Sequence, residues 1–139
     1  MISSRFSVAI HILALVDVND GNVTSEFIAG SVNTNAAVIR RIMGMLSKAN
    51  LISSRPGVVG IKLLKPLHDI TFLDVYNAVE PPEKKELFAV HQETNIKCLV
   101  GRNIQSALEV PLLKAQSYME EVLATTTVQQ IVEDIKSKN

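Results

Sequence analysis

The residues best suited to chemistry lie in two short stretches. In the first, Thr34 and Asn35 precede Ala36 and Ala37, and Arg40-Arg41 follow about one helical turn later. Small or hydrogen-bonding residues on the outer side of a helix let that side approach another molecule closely. Thr and Asn can bond phosphate oxygens or an adenine edge, while arginine holds phosphate or grips guanine with two parallel bonds. In the second stretch, Arg55 stands beside Pro56-Gly57, with Gly60 three residues further on. That places a cation on a tip narrow enough to enter a minor groove. Either stretch alone reads equally well as solvated surface, but together they favour non-covalent recognition of a nucleic acid. With Ser25 before the first stretch and Lys62 after the second, the candidate DNA-binding set is Ser25, Thr34, Asn35, Ala36, Arg40, Arg41, Arg55, Gly57 and Lys62.

Other reactive residues form no constellation. There is no Ser-His-Asp order, glycine-rich phosphate loop or pair of carboxylates set for acid–base work, so the chain does not read as an enzyme. His11 falls in an apolar stretch as a satisfied core or interface residue, whereas His68 and His91 fall in polar segments. The single cysteine, Cys98, excludes an internal disulfide and a metal site built from several thiolates. It lies beside Lys97 at the expected N-terminus of a long helix, and both features lower a thiol pKa. Two readings of Cys98 stay open: a redox sensor, or a small residue packed beside that helix.

The elements that position these residues follow from patterning. Of 139 residues, 47% are hydrophobic and none is Trp, a balance that suits packed helices better than a β-sandwich. Residues 4–17 are apolar on most sides and free of Gly and Pro, predicting a buried helix ended by Asp20-Gly21-Asn22. Thr24 or Ser25 can cap a short second helix, broken at Val32-Asn33-Thr34. A third helix is predicted from about Asn35 to Ala49, with Val38, Ile39, Ile42, Met45, Leu46 and Ala49 inward and Asn35, Ala36, Arg40, Arg41 and Gly44 outward. Leu51 to Leu64 reads as two β-prone arms around a Pro/Gly tip. Three helices followed by a hairpin with a basic tip is the winged helix-turn-helix arrangement.

Beyond Pro66, a helix starting at Asp69 or Thr71 is predicted, then a short helix near Leu87–His91. A long helix from Leu99 to about Leu123 should kink or break near 107–111, because Pro111 lies inside it. Thr126-x-x-Gln129 resembles a capping box opening a last helix. The expected fold is mainly α with a small β-hairpin wing: a winged helix-turn-helix domain over residues 1–80 and a helical region over 81–139. The stripe Val100, Ile104, Leu108, Met119 and Val122 carries more apolar area than a lone helix on so small a domain can cover, which points to a homodimer. Charge is divided in the same way. Seven basic residues face three acidic ones through Lys65, a balance of +4, and seven face eleven from Pro66 onward, a balance of −4. A basic front and acidic back suit a polyanion-binding module joined to a part that does not touch the polyanion. No apolar run reaches the roughly 18 residues of a membrane span, and no export signal is visible, so a cytoplasmic location is expected.

Asn33 to Ile42 followed by Leu51 to Gly60 resembles the core signature of the Rrf2 family of transcription regulators. Asp69-Ile70-Thr71-Phe72-Leu73-Asp74-Val75-Tyr76-Asn77-Ala78-Val79 and Asn95-Ile96-Lys97-Cys98-Leu99-Val100-Gly101 are similar to later segments of that family, so the resemblance spans nearly the whole chain. It implies a bacterial homodimeric regulator, a repressor by type, whose long helices pack together and whose third helices enter a partly palindromic operator in double-stranded DNA. Cluster-binding members carry three cysteines before the long helix, whereas only Cys98 stands here. A [2Fe–2S] cluster takes about four ligands, so no cofactor is expected, and the triggering signal would be a small molecule or a redox change. Val58 and Val59 also replace the family's glycine-rich wing continuation. The rival reading is a winged helix used for protein–protein contact. Such domains usually lose the basic wing and recognition face, yet Arg40, Arg41 and Arg55 are all present.

Overall fold

The computed structural model describes residues 3–54, 60–80 and 87–138. Helix α1 (Ser4–Val18) begins where the Ser3 side chain accepts the Arg5 N–H. It is buried on most sides, with Ala9, Ile12, Leu13 and Val16 inside. The turn after it uses Asp20 and Gly21 at positive φ. Helix α2 (Ser25–Val32) is capped by Thr24, whose side chain accepts from the Phe27 amide. It ends at Asn33, which takes the left-handed conformation at φ 68°. The Asn33 and Thr34 amides both bond the Ala29 carbonyl, so the end of α2 and its tight turn are made by one residue that tolerates positive φ.

Helix α3 (Ala36–Lys48) starts at the Asn35 cap, whose side chain accepts from the Val38 amide. Ile39, Ile42, Met43 and Leu46 point into the core, while Ala49 is exposed at the C-cap. The inward stripe therefore takes Met43 in place of Ala49. Strands β1 (Ile52–Ser53) and β2 (Lys62–Leu63) pair antiparallel, Ile52 with Leu63 and Ser53 with Lys62. The Ile61 amide bonds the Gly21 carbonyl at 2.9 Å, and a Cβ at Gly21 would collide with the Ile61 carbonyl. The base of the hairpin is thus stitched to the α1–α2 turn through a glycine that nothing larger could replace.

After a single 3-10 turn (Leu67–Asp69), helix α4 (Phe72–Val79) opens on a capping box between Thr71 and Asp74. Its Phe72 and Tyr76 meet Phe6 edge-on at centroid distances of 5.7 and 6.5 Å. Glu80, at the C-cap of α4, is almost wholly buried. Its Oε1 accepts from the Ser3 amide and hydroxyl, and its Oε2 lies 3.4 Å from the Arg5 guanidinium. One of the front half's cations is therefore spent on joining α1 to α4. Helix α5 (Leu99–Thr125) runs unbroken through Pro111. The expected break is absent; the carbonyl deprived of a partner belongs to Ala107, an exposed residue where water can serve.

Residues 87–91 form no helix. Their polar groups go to side chains instead: the Leu87 amide to Gln116, and the His91 carbonyl to Gln105. Such bonds compete with helix formation. Helix α6 (Val128–Ser137) is capped by Thr127 and Gln130, one residue later than the expected Thr126–Gln129 box, because Thr126 donates back to the Val122 carbonyl and closes α5. The Thr126 carbonyl accepts from the Phe72 amide and the Val128 amide donates to the Ile70 carbonyl, at 2.8 and 2.9 Å. Through this clasp Val128 and Val132 enter the same core as Ile12, Ile39 and Val75, each large aliphatic there contributing roughly 1.5–3 kcal/mol by leaving water. The last helix therefore shares the core of the first eighty residues. Among the described residues, no helix is long and apolar enough to cross a membrane.

Candidate nucleic-acid interface

The outer side of α3 is one exposed stripe. Asn35, Ala37, Arg40, Arg41, Gly44 and Lys48 are all exposed, and on a 3.6-residue helix the last five fall within about a third of the circumference. Small residues, Ala37 and Gly44, lie between the cations. A Cβ at Gly44 would meet nothing within 4 Å, so the protein's own packing does not require glycine here. Mid-helix glycine costs about 1 kcal/mol relative to alanine, and the cost fits a side that another molecule must approach closely.

The cations on this stripe are not equivalent. Arg40 lies 3.5 Å from Glu26 of α2 in an exposed ion pair, whereas Arg41 has no hydrogen bond or ion pair among the described residues. The Asn35 oxygen is committed to the cap, which leaves its amide hydrogens for a partner. Ala36 is half-buried against the core, and Thr34 is exposed in the turn before the helix. Ser25 stands apart from the stripe: it is half-buried, and its hydroxyl points to the Met43 sulfur at 3.9 Å. Lys62 is exposed on β2. Arg55 and Gly57 lie outside the described residues. Lys48 was not in the sequence-derived set, although its spacing of seven from Arg41 could have placed it there.

On α5 no residue is buried. Val100 and Val122 are exposed, along with Tyr118, while Ile104, Leu108 and Met119 are half-buried. Cys98 is the exposed N-cap of this helix. Its thiol pKa is pulled below the ordinary value by the backbone amides of Gly101 and then Val100. His11 is satisfied by the Ser31 hydroxyl at 2.8 Å. Among the described residues, no three His, Cys, Asp or Glu side chains are grouped to hold a metal ion.

The Rrf2 family model, described as an iron-dependent transcriptional regulator, matches residues 2–134. The proposed HTH-type transcriptional regulator YwnA of Bacillus subtilis is 47% identical over 132 residues, covering 95% of this chain and 97% of YwnA. A crystal structure of a proposed DNA-binding protein is 41% identical with a TM-score of 0.74, covering 92% of this chain and 98% of that one. A proposed transcriptional regulator from Lactobacillus plantarum shares the fold, with a TM-score of 0.79 at 24% identity over 96% of this chain and 90% of the other. Among the described residues, the iron in the family's description finds no matching donor set. The chain has one cysteine, and its sulfur is exposed and far from making a closed set of ligands.

Proposed function

Because this chain belongs to the Rrf2 family of transcriptional regulators, we propose that it represses transcription as a homodimer bound to a partly palindromic operator. The observation that carries the reading is the exposed stripe of α3, where Arg40, Arg41 and Lys48 flank small residues. Each cation that neutralises a phosphate releases a counterion, and the small residues between them let bases come within hydrogen-bonding reach. The hairpin base, pinned to Gly21, carries Lys62 beside it. The unburied apolar side of α5 supports the second half of the proposal, since a second copy of the chain would cover it.

The test is electrophoretic mobility of the promoter DNA upstream of the chain's own gene, titrated against salt. Retention that survives excess non-specific DNA and falls steeply with salt is expected. Salt-independent or absent retention, with DNA fragments covering the whole upstream region, would overturn the reading in favour of a winged helix that contacts protein. A reporter fused to the same promoter, with and without the chain, checks the sign of regulation.

A further inference from the structure

The stretch from Leu87 to Gln92 is held away from α5 rather than flush with it. Gln116 receives the Leu87 amide and Gln105 donates to the His91 carbonyl, and between these two ties lies a cleft of about 470 Å³. That falls within the range of roughly 300–1,000 Å³ in which small organic molecules bind. Phe88, Val90, Leu112 and Leu113 form its apolar walls, and Glu109 is the one ionisable side chain among the described residues lining it. The Glu109 carboxylate makes no hydrogen bond or ion pair among the described residues. Phe88 is 41% exposed although it lines a cleft with three aliphatic side chains. Glu109 and Gln116 lie on the opposite side of α5 from Val100 and Tyr118, so dimerisation on that apolar side would leave the cleft open.

We propose that this cleft binds a small organic cation with an apolar body, such as an aryl-alkyl amine or quaternary ammonium ion. The carboxylate of Glu109 and the ring face of Phe88 both favour positive charge, while Val90, Leu112 and Leu113 cover the hydrocarbon part. An anion of the same shape meets an uncompensated carboxylate and is rejected. Resting on the reading of the chain as a DNA-binding regulator, the occupant is its effector. Helix α5 runs from the cleft to Thr126, whose carbonyl is bonded to the first amide of α4, and α4 packs on both α1 and α3.

Calorimetric titration of the full chain tests the site without DNA. Benzyltriethylammonium is expected to bind saturably at one site per chain, with benzenesulfonate at least about tenfold weaker. Glu109→Gln, a helix-compatible change at an exposed position, should weaken the cation roughly three- to tenfold and leave benzyl alcohol unaffected. Absence of saturable cation binding, or equal binding by E109Q, would overturn the proposal. Mobility shift then separates the two layers. A cation that binds the cleft but leaves operator retention unchanged removes the effector role, whereas a ligand-free chain that retains no DNA is a failure of the regulator reading and not of the cleft.

Discussion

Arg40 and Arg41 are neighbours in sequence and differ in the free protein. Arg40 is shared with Glu26 at 3.5 Å, so a phosphate or base must compete with that carboxylate, while Arg41 has no such rival among the described residues. Arg41→Ala should weaken operator binding by about 1–3 kcal/mol, and Arg40→Ala by less. Glu26→Gln should tighten binding by up to about 1 kcal/mol, the scale of an exposed ion pair. A quantitative mobility-shift titration checks all three, and an R40A defect larger than that of R41A would contradict the ranking. Asn35 shows why residue roles are only half legible in sequence. The same carboxamide can cap a helix or read adenine, and the bond to Val38 shows its oxygen occupied with the first task. Cys98 illustrates the same ambiguity. Its exposure leaves it reactive in the single chain, and the Gly101 and Val100 amides favour the thiolate. Iodoacetamide labelling of the native chain should therefore reach its half-maximal rate at a lower pH than labelling of the same chain in denaturant. Cys98→Ser should slightly stabilise α5, because a serine oxygen caps the helix amides better than the neutral thiol, which makes no capping bond. Coincident pH profiles in the two states would show that the helix amides do not act on the sulfur.

At the scale of elements, glycine marks the difference between packing and approach. Gly44 on α3 and Gly30 on α2 are both open, with nothing within 4 Å of a built Cβ. Alanine at either should raise stability by about 1 kcal/mol and the thermal midpoint by a few degrees. Operator affinity should fall for Gly44→Ala and hold for Gly30→Ala, because only the first adds a methyl to the stripe between Arg41 and Lys48. Equal affinities by mobility shift, with both variants stabilised by calorimetry, would mean that α3 does not sit close against DNA. The elements themselves were legible wherever their signals are local. Thr24 as a cap, Asn33 as a left-handed stop and the glycine-bearing turn at 20–22 each act within four residues of chain. Pairings that span the chain left no such trace. Nothing in the sequence joins Ser3 and Arg5 to Glu80, or Thr126 to Phe72, because those contacts depend on how the helices pack. Adjacent Thr126 and Thr127 offer the same capping pattern one residue apart, and the Thr126 bond back to Val122, with the clasp to Ile70 and Phe72, decides between them.

For the whole molecule, the question is what covers α5. A helix of 27 residues with none buried, showing Val100, Tyr118 and Val122 along one side, leaves an apolar strip in water, and large exposed apolar strips mark interaction surfaces. A second copy is the occupant we propose, since identical α5 faces are matched in length and apolar pattern, and a dimeric reader of a palindrome needs its two α3 stripes about one DNA turn apart, roughly 34–36 Å. Ile104, named with the stripe in the sequence, is a poor place to break such a dimer, for it is half-buried against its own chain and a charge there could unfold the protomer. Val122 is 63% exposed, so Val122→Glu should yield a folded monomer with unchanged helical content. Operator binding measures the consequence. Affinity changes with salt by a slope of about −0.9 per phosphate contacted, and a monomer makes half the contacts of a dimer. In sedimentation and salt-titrated mobility shift, the wild type should therefore be a dimer, while V122E should be monomeric with about half the slope and no cooperativity between half-sites. A wild-type chain that sediments as a monomer, or a V122E chain that keeps the full slope, would show that the strip on α5 has another purpose and that a single α3 stripe accounts for the binding.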